Sequence, residues 1–237
     1  IAYFDDSLHR SELFEEQLVG DFHQAIKEGQ FIVYYQPKFD VRPDIPILSS
    51  AEALVRWIHP EKGFMSPGVF IPLFENNGLI QKLDRYIFRE VARQIREWKD
   101  TLGSSVPIAV NVSRLDIYEP DLCSYFLGLL DEFRLDAGDM LLEITESAYT
   151  EDSEQLIRMV EELRANGFKI EMDDFGSGYS SLNVLKDYYF DVLKIDMVFL
   201  RSFEKNENSR KIIKRVVDIA NDLGINTLCE GVETGEM

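Results

Sequence analysis

Asp173 and Asp174 stand side by side in the stretch IEMDDFGSGYSSL, where an apolar run breaks into a glycine-rich loop. Adjacent carboxylates repel, and drawing both toward a low-dielectric pocket raises at least one pKa unless a cation or a proton relieves the repulsion. A solvated acidic turn would account for the pair on its own, since Asp and Gly are common turn residues. The rest of the chain shifts that balance. Polar side chains recur at the exits of successive apolar segments: Glu52 and Arg56 in AEALVRW, Asn111 in NVS, Glu143 in LEITES, Lys194 in LKID, and Glu230 and Glu233 in CEGVE.

Carboxylates with one amide, and without His or Cys, suit a hard cation such as Mg²⁺ or Mn²⁺ rather than zinc or copper. Acids from several strands can hold two such ions about 3.5 to 4 Å apart, share a water between them and clamp a phosphoryl oxygen during in-line displacement. In that arrangement Asp173 is the natural bridging ligand. Lys194 would orient the attacking hydroxide or stabilise transition-state charge, and Arg56 would grip a phosphate oxygen. Each residue also has a plainer reading. Glu143 with Lys194 is a credible structural salt bridge, Asn111 can bond a loop backbone, and Glu230 with Glu233 can be a solvated loop end. Residue by residue these alternatives stay open; the recurrence of polar residues at strand exits favours a site. His9, His23 and His59 lack ligand spacing and read as surface or loop residues, and Cys229 reads as buried strand filler.

The elements that must position these residues follow from periodicity. Phe14, Leu18, Phe22 and Ile26 recur every four positions and predict a first helix over residues 10–29. Seven strand candidates come next: FIVYYQPKF, ILSSAEALVRW, PIAVNVS, MLLEITES, FKIEMDD, DVLKIDM and INTLCEG. Helices are predicted over 80–98, 119–133, 152–165 and 209–223, the last two ending before Gly167 and Gly224, where C-cap glycines are expected. Strand and helix in alternation predict parallel βα units and a (β/α) barrel one strand short of eight, whose C-terminal rim is where active sites are built. Alternation also puts Glu52, Leu54 and Arg56 on one face, Glu143 with Thr145, and Lys194 with Asp196.

The 237 residues are 45% hydrophobic, enough for one sizeable core. Lys and Arg number 25 against 43 Asp and Glu, and a net charge of -18 argues against nucleic acid polymers or anionic membrane as partners. Two cysteines without metal or disulfide spacing fit a reducing compartment. No apolar run is long enough to span a bilayer.

Taken together, AEALVRW, NVS, LEITES, DDFGSGYSSL, LKID and EGVET resemble, in order and spacing, the EAL-domain family of bacterial cyclic di-GMP phosphodiesterases. The resemblance runs from about Phe31 to the last residue. It implies an α/β fold, a TIM-like (β/α)8 barrel with an antiparallel first strand, here without its final βα unit. It also implies hydrolysis of cyclic di-GMP to linear pGpG with two Mg²⁺ or Mn²⁺ ions. By motif, Glu52, Asn111, Glu143, Asp173, Asp174 and Glu230 become metal ligands. Lys194, Glu52 and Glu230 become the catalytic set, with Glu230 serving either as ligand or as general base. Gln36, Arg56 and Glu233 fall near the substrate, and Glu146 braces the DFGSGYS loop. Met197 and Val198 depart from the basic residue and Ser that usually follow LKID.

The start, IAYFDDSLH, resembles the tail of a GGDEF domain. Residues 1–12 are therefore expected to be that tail or a linker, and 13–237 a C-terminally incomplete EAL barrel. The wider expectation is a cytoplasmic domain of a larger bacterial signalling protein, with a homodimer as its common state. This segment is expected to make no membrane contact, whether or not the larger protein is anchored. The alternative to turnover is a catalytically silent cyclic di-GMP-binding effector. A sugar-cleaving barrel is disfavoured, because that chemistry needs two carboxylates and neither an amide nor a lysine among them.

Overall fold

The structure, a computed structural model, describes residues 6–151, 153–176, 185, 189–197 and 207–232. In chain order these are α1 (Asp6–Lys27), β1 (Phe31–Asp40), β2 (Ile47–His59), β3 (Gly63–Met65), α2 (Pro67–Asn76), α3 (Ile80–Leu102), β4 (Ile108–Asn111), α4 (Arg114–Ile117) and α5 (Leu122–Phe133). A 3₁₀ turn (Ala137–Asp139) then leads to β5 (Met140–Thr145), α6 (Ala148–Glu151), α7 (Ser153–Ala165), β6 (Lys169–Phe175), β7 (Val192–Ile195), α8 (Glu207–Asp222) and β8 (Asn226–Cys229).

The hydrogen-bonded path runs β1-β2-β4-β5-β6-β7-β8, with β3 paired to β2 off the path. From β2 onward neighbours on the path are parallel, whereas β1 pairs antiparallel with β2. The short strand β3 lies between the second and third predicted strands. At only three residues it shows no alternation that a sequence reading could use.

The sheet is curled. Lys38 on β1 touches Glu143 on β5, and Lys194 on β7 touches Glu52 on β2, although other strands stand between each pair. Such contacts require the inner face to close on itself. Alternation then sorts the side chains. On β2, Ala51, Ala53 and Trp57 are buried against the outer layer, while Glu52 reaches Lys194 on the inner face and Arg56 shares the parity of Glu52; on β6, Ile170 and Met172 pack outward and Glu171 and Asp173 inward.

The outer layer is helical. α3 buries Ile80, Leu83, Ile87, Phe88, Val91, Ala92 and Ile95, a stripe at helical spacing. α1 buries Leu18, Phe22 and Ala25, but Phe14 is 39% exposed. A four-residue repeat drifts round a helix of 3.6 residues per turn, so the predicted stripe leaves the contact face at one end. Phe22, Phe31, Trp57, Phe70 and Phe74 form an aromatic cluster that fixes α1 and α2 onto the β1–β2 hairpin.

Two sequence expectations are corrected here. His59 is not a surface or loop residue: it ends β2 and is buried, with Nε2 3.1 Å from Asp21 Oδ2 and Nδ1 accepting from the Glu61 and Lys62 N–H groups. Cys229 is not buried filler but exposed, because it closes β8 at the end of the hydrogen-bonded path of described strands.

Candidate active site

Lys194 organises the site. Its side chain is 1% exposed, and Nζ lies 3.1 Å from Glu52 Oε2, 3.1 Å from Glu143 Oε1, 3.0 Å from Asp173 Oδ1 and 3.0 Å from Glu230 Oε1. These acids come from β2, β5, β6 and the exit of β8, so one ammonium ties together strands on opposite walls. An ammonium has three hydrogens, so four carboxylates cannot all accept from it at once. Burial alone would pull the Lys194 pKa down, but Glu143, Glu52, Asp173 and Glu230 outweigh it and hold the pKa above the ordinary lysine value. Lys194 is thus a standing cation at neutral pH and not a proton acceptor.

The acids carry the opposite strain. Burial pushes Glu143 up to about 7, against the pull of Lys194 and Lys38. Burial and the neighbouring Glu143 raise Glu52. Carboxylate oxygens of Glu52, Glu143 and Asp173 lie within 4.8 Å of one another. Glu143 Oε2 is buried and has no hydrogen-bond partner among the described residues. An all-oxygen cluster with an unsatisfied buried carboxylate oxygen fits a hard divalent cation.

The adjacent aspartates reach this region through a break in the strand. In a regular strand neighbouring side chains point to opposite faces. Here Met172 pairs with Leu193 and Phe175 with Ile195, so β6 fits one extra residue against β7, and Asp174 adopts φ 60. Left-handed backbone is uncommon for a residue other than glycine, and Asp is among those that tolerate it. Asp174 N–H donates to Asp173 Oδ1 at 2.9 Å. Burial, followed by Asp173, Asp196 and Glu230, raises the Asp174 pKa to about 6.

The remaining predicted residues surround this centre. Asn111, exposed, donates from Nδ2 to Glu52 Oε1 at 3.3 Å, which departs from the loop-backbone alternative. Gln36 is exposed and pairs in register with Glu52. Arg56 lies over the Tyr34 ring, 5.6 Å from its centroid, and donates from Nη1 to Val55 O. Glu146 is buried, accepts from the Gly176 N–H at 3.3 Å, and its own N–H bonds Asp173 O at 2.9 Å. Gly231, after Glu230, has φ 70, and a Cβ there would lie 2.9 Å from Met197 Cβ. Glu233 and loop residues 177–184 lie outside the described residues.

The model of the EAL domain matches residues 19–237. The chain belongs to the EAL domain family. It is 35% identical over 233 residues to the bifunctional diguanylate cyclase/cyclic di-GMP phosphodiesterase MucR of Pseudomonas aeruginosa, covering 98% of this chain and 34% of that protein. It is 32% identical over 216 residues to the cyclic di-GMP phosphodiesterase PdeR of Escherichia coli, covering 91% of this chain and 32% of that one. The chain thus spans about a third of the length of these relatives. Among solved structures, the PaMucR phosphodiesterase in complex with c-di-GMP superposes with a TM-score of 0.84 at 35% identity, covering 93% of this chain and 88% of that one.

Three residues of this EAL domain escaped the sequence reading: Lys38, Glu171 and Tyr34. Lys38 shares parity with Gln36, and Glu171 with Asp173, so alternation alone could have placed both on the inner face. Tyr34 is 50% exposed beside Arg56, and pairs in register with Leu54.

Proposed function

We propose that this EAL domain is a metal-dependent phosphodiesterase that opens one phosphodiester of cyclic di-GMP to give linear pGpG. The observation that carries the reading is the enclosure of Lys194 by acids from separate strands, together with the buried Glu143 Oε2 that has no hydrogen-bond partner among the described residues. Relatives named as cyclic di-GMP phosphodiesterases, and the likeness to a c-di-GMP complex, support the choice of substrate.

Glu52, Asn111, Glu143, Asp173, Asp174 and Glu230 would hold two Mg²⁺ or Mn²⁺ ions. Bound, these ions supply Lewis-acid stabilisation of phosphoryl charge and acidify water. The residues of the chain do the rest. Lys194, permanently charged, keeps the acids converged and sets a fixed positive charge beside the reacting phosphate. Glu230, whose side chain is 34% exposed at the rim while Glu143 is enclosed, would serve as proton acceptor where it does not ligate a metal. Arg56 would release its backbone contact to grip a phosphate oxygen, and the exposed Tyr34 ring beside it offers a flat face to a purine. Gln36, opposite Glu52, is placed to bond the substrate, and Glu146 ties the start of the glycine-rich loop to β6.

The test is chromatography of cyclic di-GMP incubated with the purified chain and Mn²⁺, with ligand binding recorded in parallel. Formation of pGpG that is lost in EDTA supports the reading. Tight binding without turnover would instead favour a silent effector.

A further inference from the structure

β1 carries a second buried cation that the proposed chemistry does not use. Lys38 is 8% exposed; its ammonium contacts the Glu143 carboxylate and lies 2.7 Å from Glu171 Oε2. Several features separate this from an incidental ion pair. The lysine reaches across the interior, since β2 and β4 stand between β1 and β5 in the sheet. Lys38 keeps regular register with Ser50 and the inward parity of Gln36, and the β1–β2 register slips only after it, at the extra Ser49 on β2. Glu143 and Glu171 are register partners on β5 and β6, so their carboxylates would crowd each other without a cation between them. Finally, the Glu143 oxygen that Lys38 contacts is the same Oε1 that lies 3.1 Å from Lys194 Nζ, while Oε2 has no hydrogen-bond partner among the described residues.

Two ammonium groups therefore pin one oxygen of Glu143 and leave the other available. We propose that Lys38 is a positioning residue: from beneath the site it fixes the orientation of Glu143 for metal binding, with Glu171 as its counter-charge. The inference rests on reading the acid cluster as a metal site. Partners that orient a ligand act through affinity, typically by 10- to 100-fold. A lysine that served folding alone would act through stability.

The experiment separates the two roles. Free Mn²⁺ is titrated by electron paramagnetic resonance against the metal-free 237-residue chain without substrate, and thermal unfolding is recorded beside it. Lys38→Met should weaken Mn²⁺ binding about 10- to 100-fold and lower the Tm, because Glu171 loses its partner. In Lys38→Met/Glu171→Leu the whole pair is replaced by apolar groups, so the Tm should recover while Mn²⁺ binding stays weak. Wild-type Mn²⁺ affinity in either folded variant would overturn the positioning role alone. Absence of Mn²⁺ binding by the wild-type chain would overturn the metal reading and this inference with it.

Discussion

Lys194 Nζ lies 3.1 Å from Glu52 Oε2, although the two residues are 142 positions apart and belong to β7 and β2. The contact exists only because the sheet curls. It makes one lysine the shared counter-charge for acids that would otherwise repel. Lys194→Met should destabilise the metal-free chain by about 3 to 5 kcal/mol at neutral pH, the usual result of stripping a buried charge of its partner. Thermal unfolding in EDTA checks this. Added Mn²⁺ should restore part of the lost stability, and pGpG formation should fall at least about 100-fold.

Asp174 gives a pH-dependent prediction. Its folded-state pKa is raised from 3.8 to about 6 by burial and by Asp173, Asp196 and Glu230. The folded state therefore holds this proton more tightly than the unfolded state, so its contribution to stability is present below pH 3.8 and lost as pH rises to about 6. Asn tolerates the same left-handed backbone, so Asp174→Asn removes the charge with little strain. With the charge half exposed and screened, the variant should gain about 1 kcal/mol above pH 6, or about 2 to 4 °C in Tm, and nothing near pH 3.5. Unfolding in EDTA across that range reads the difference. Mn²⁺ affinity should move the opposite way, weakening about 10-fold or more.

Glu146 links the strand that carries Asp173 to the first residue of the glycine-rich loop. Glu146→Ala should reduce Mn²⁺ affinity about 10- to 100-fold. Isothermal titration with Mn²⁺ makes the comparison, and an unchanged affinity would confine Glu146 to folding.

Arg56 touches no carboxylate of the cluster among the described interactions; it rests on Tyr34 and on the Val55 carbonyl. Its loss should therefore appear in substrate binding more than in chemistry. Arg56→Ala is expected to raise KM about 10-fold with a smaller change in kcat, as steady-state kinetics on cyclic di-GMP would show.

Much of this site was legible from alternation. Glu52 with Arg56, Glu143 with Thr145, and the outward apolar residues between them fix which face each strand turns inward. Parallel pairing then carries Glu143 beside Glu171. What alternation cannot show is contact across the interior, because that depends on the curl of the sheet and the stagger of its strands. The pairing of Lys38 with Glu143 and Glu171 is of that kind. The two aspartates mark another limit: adjacency predicts opposite faces, and only the extra residue in β6 and the backbone of Asp174 bring both into the same charged surroundings. His59 departs from its sequence expectation because β2 runs two residues beyond the predicted end at Trp57, so His59 keeps the outward parity of Ala53 and Trp57 and meets Asp21 of α1.

The most direct measurement follows pGpG formation and Mn²⁺ occupancy on the same samples as free Mn²⁺ is raised, for the wild-type chain and for Glu52→Gln. The expected result is that wild-type turnover rises with occupancy of the acid cluster, and that Glu52→Gln loses both. Turnover that persists in EDTA, or that survives undiminished in Glu52→Gln, would contradict a metal-dependent phosphodiesterase built on these acids.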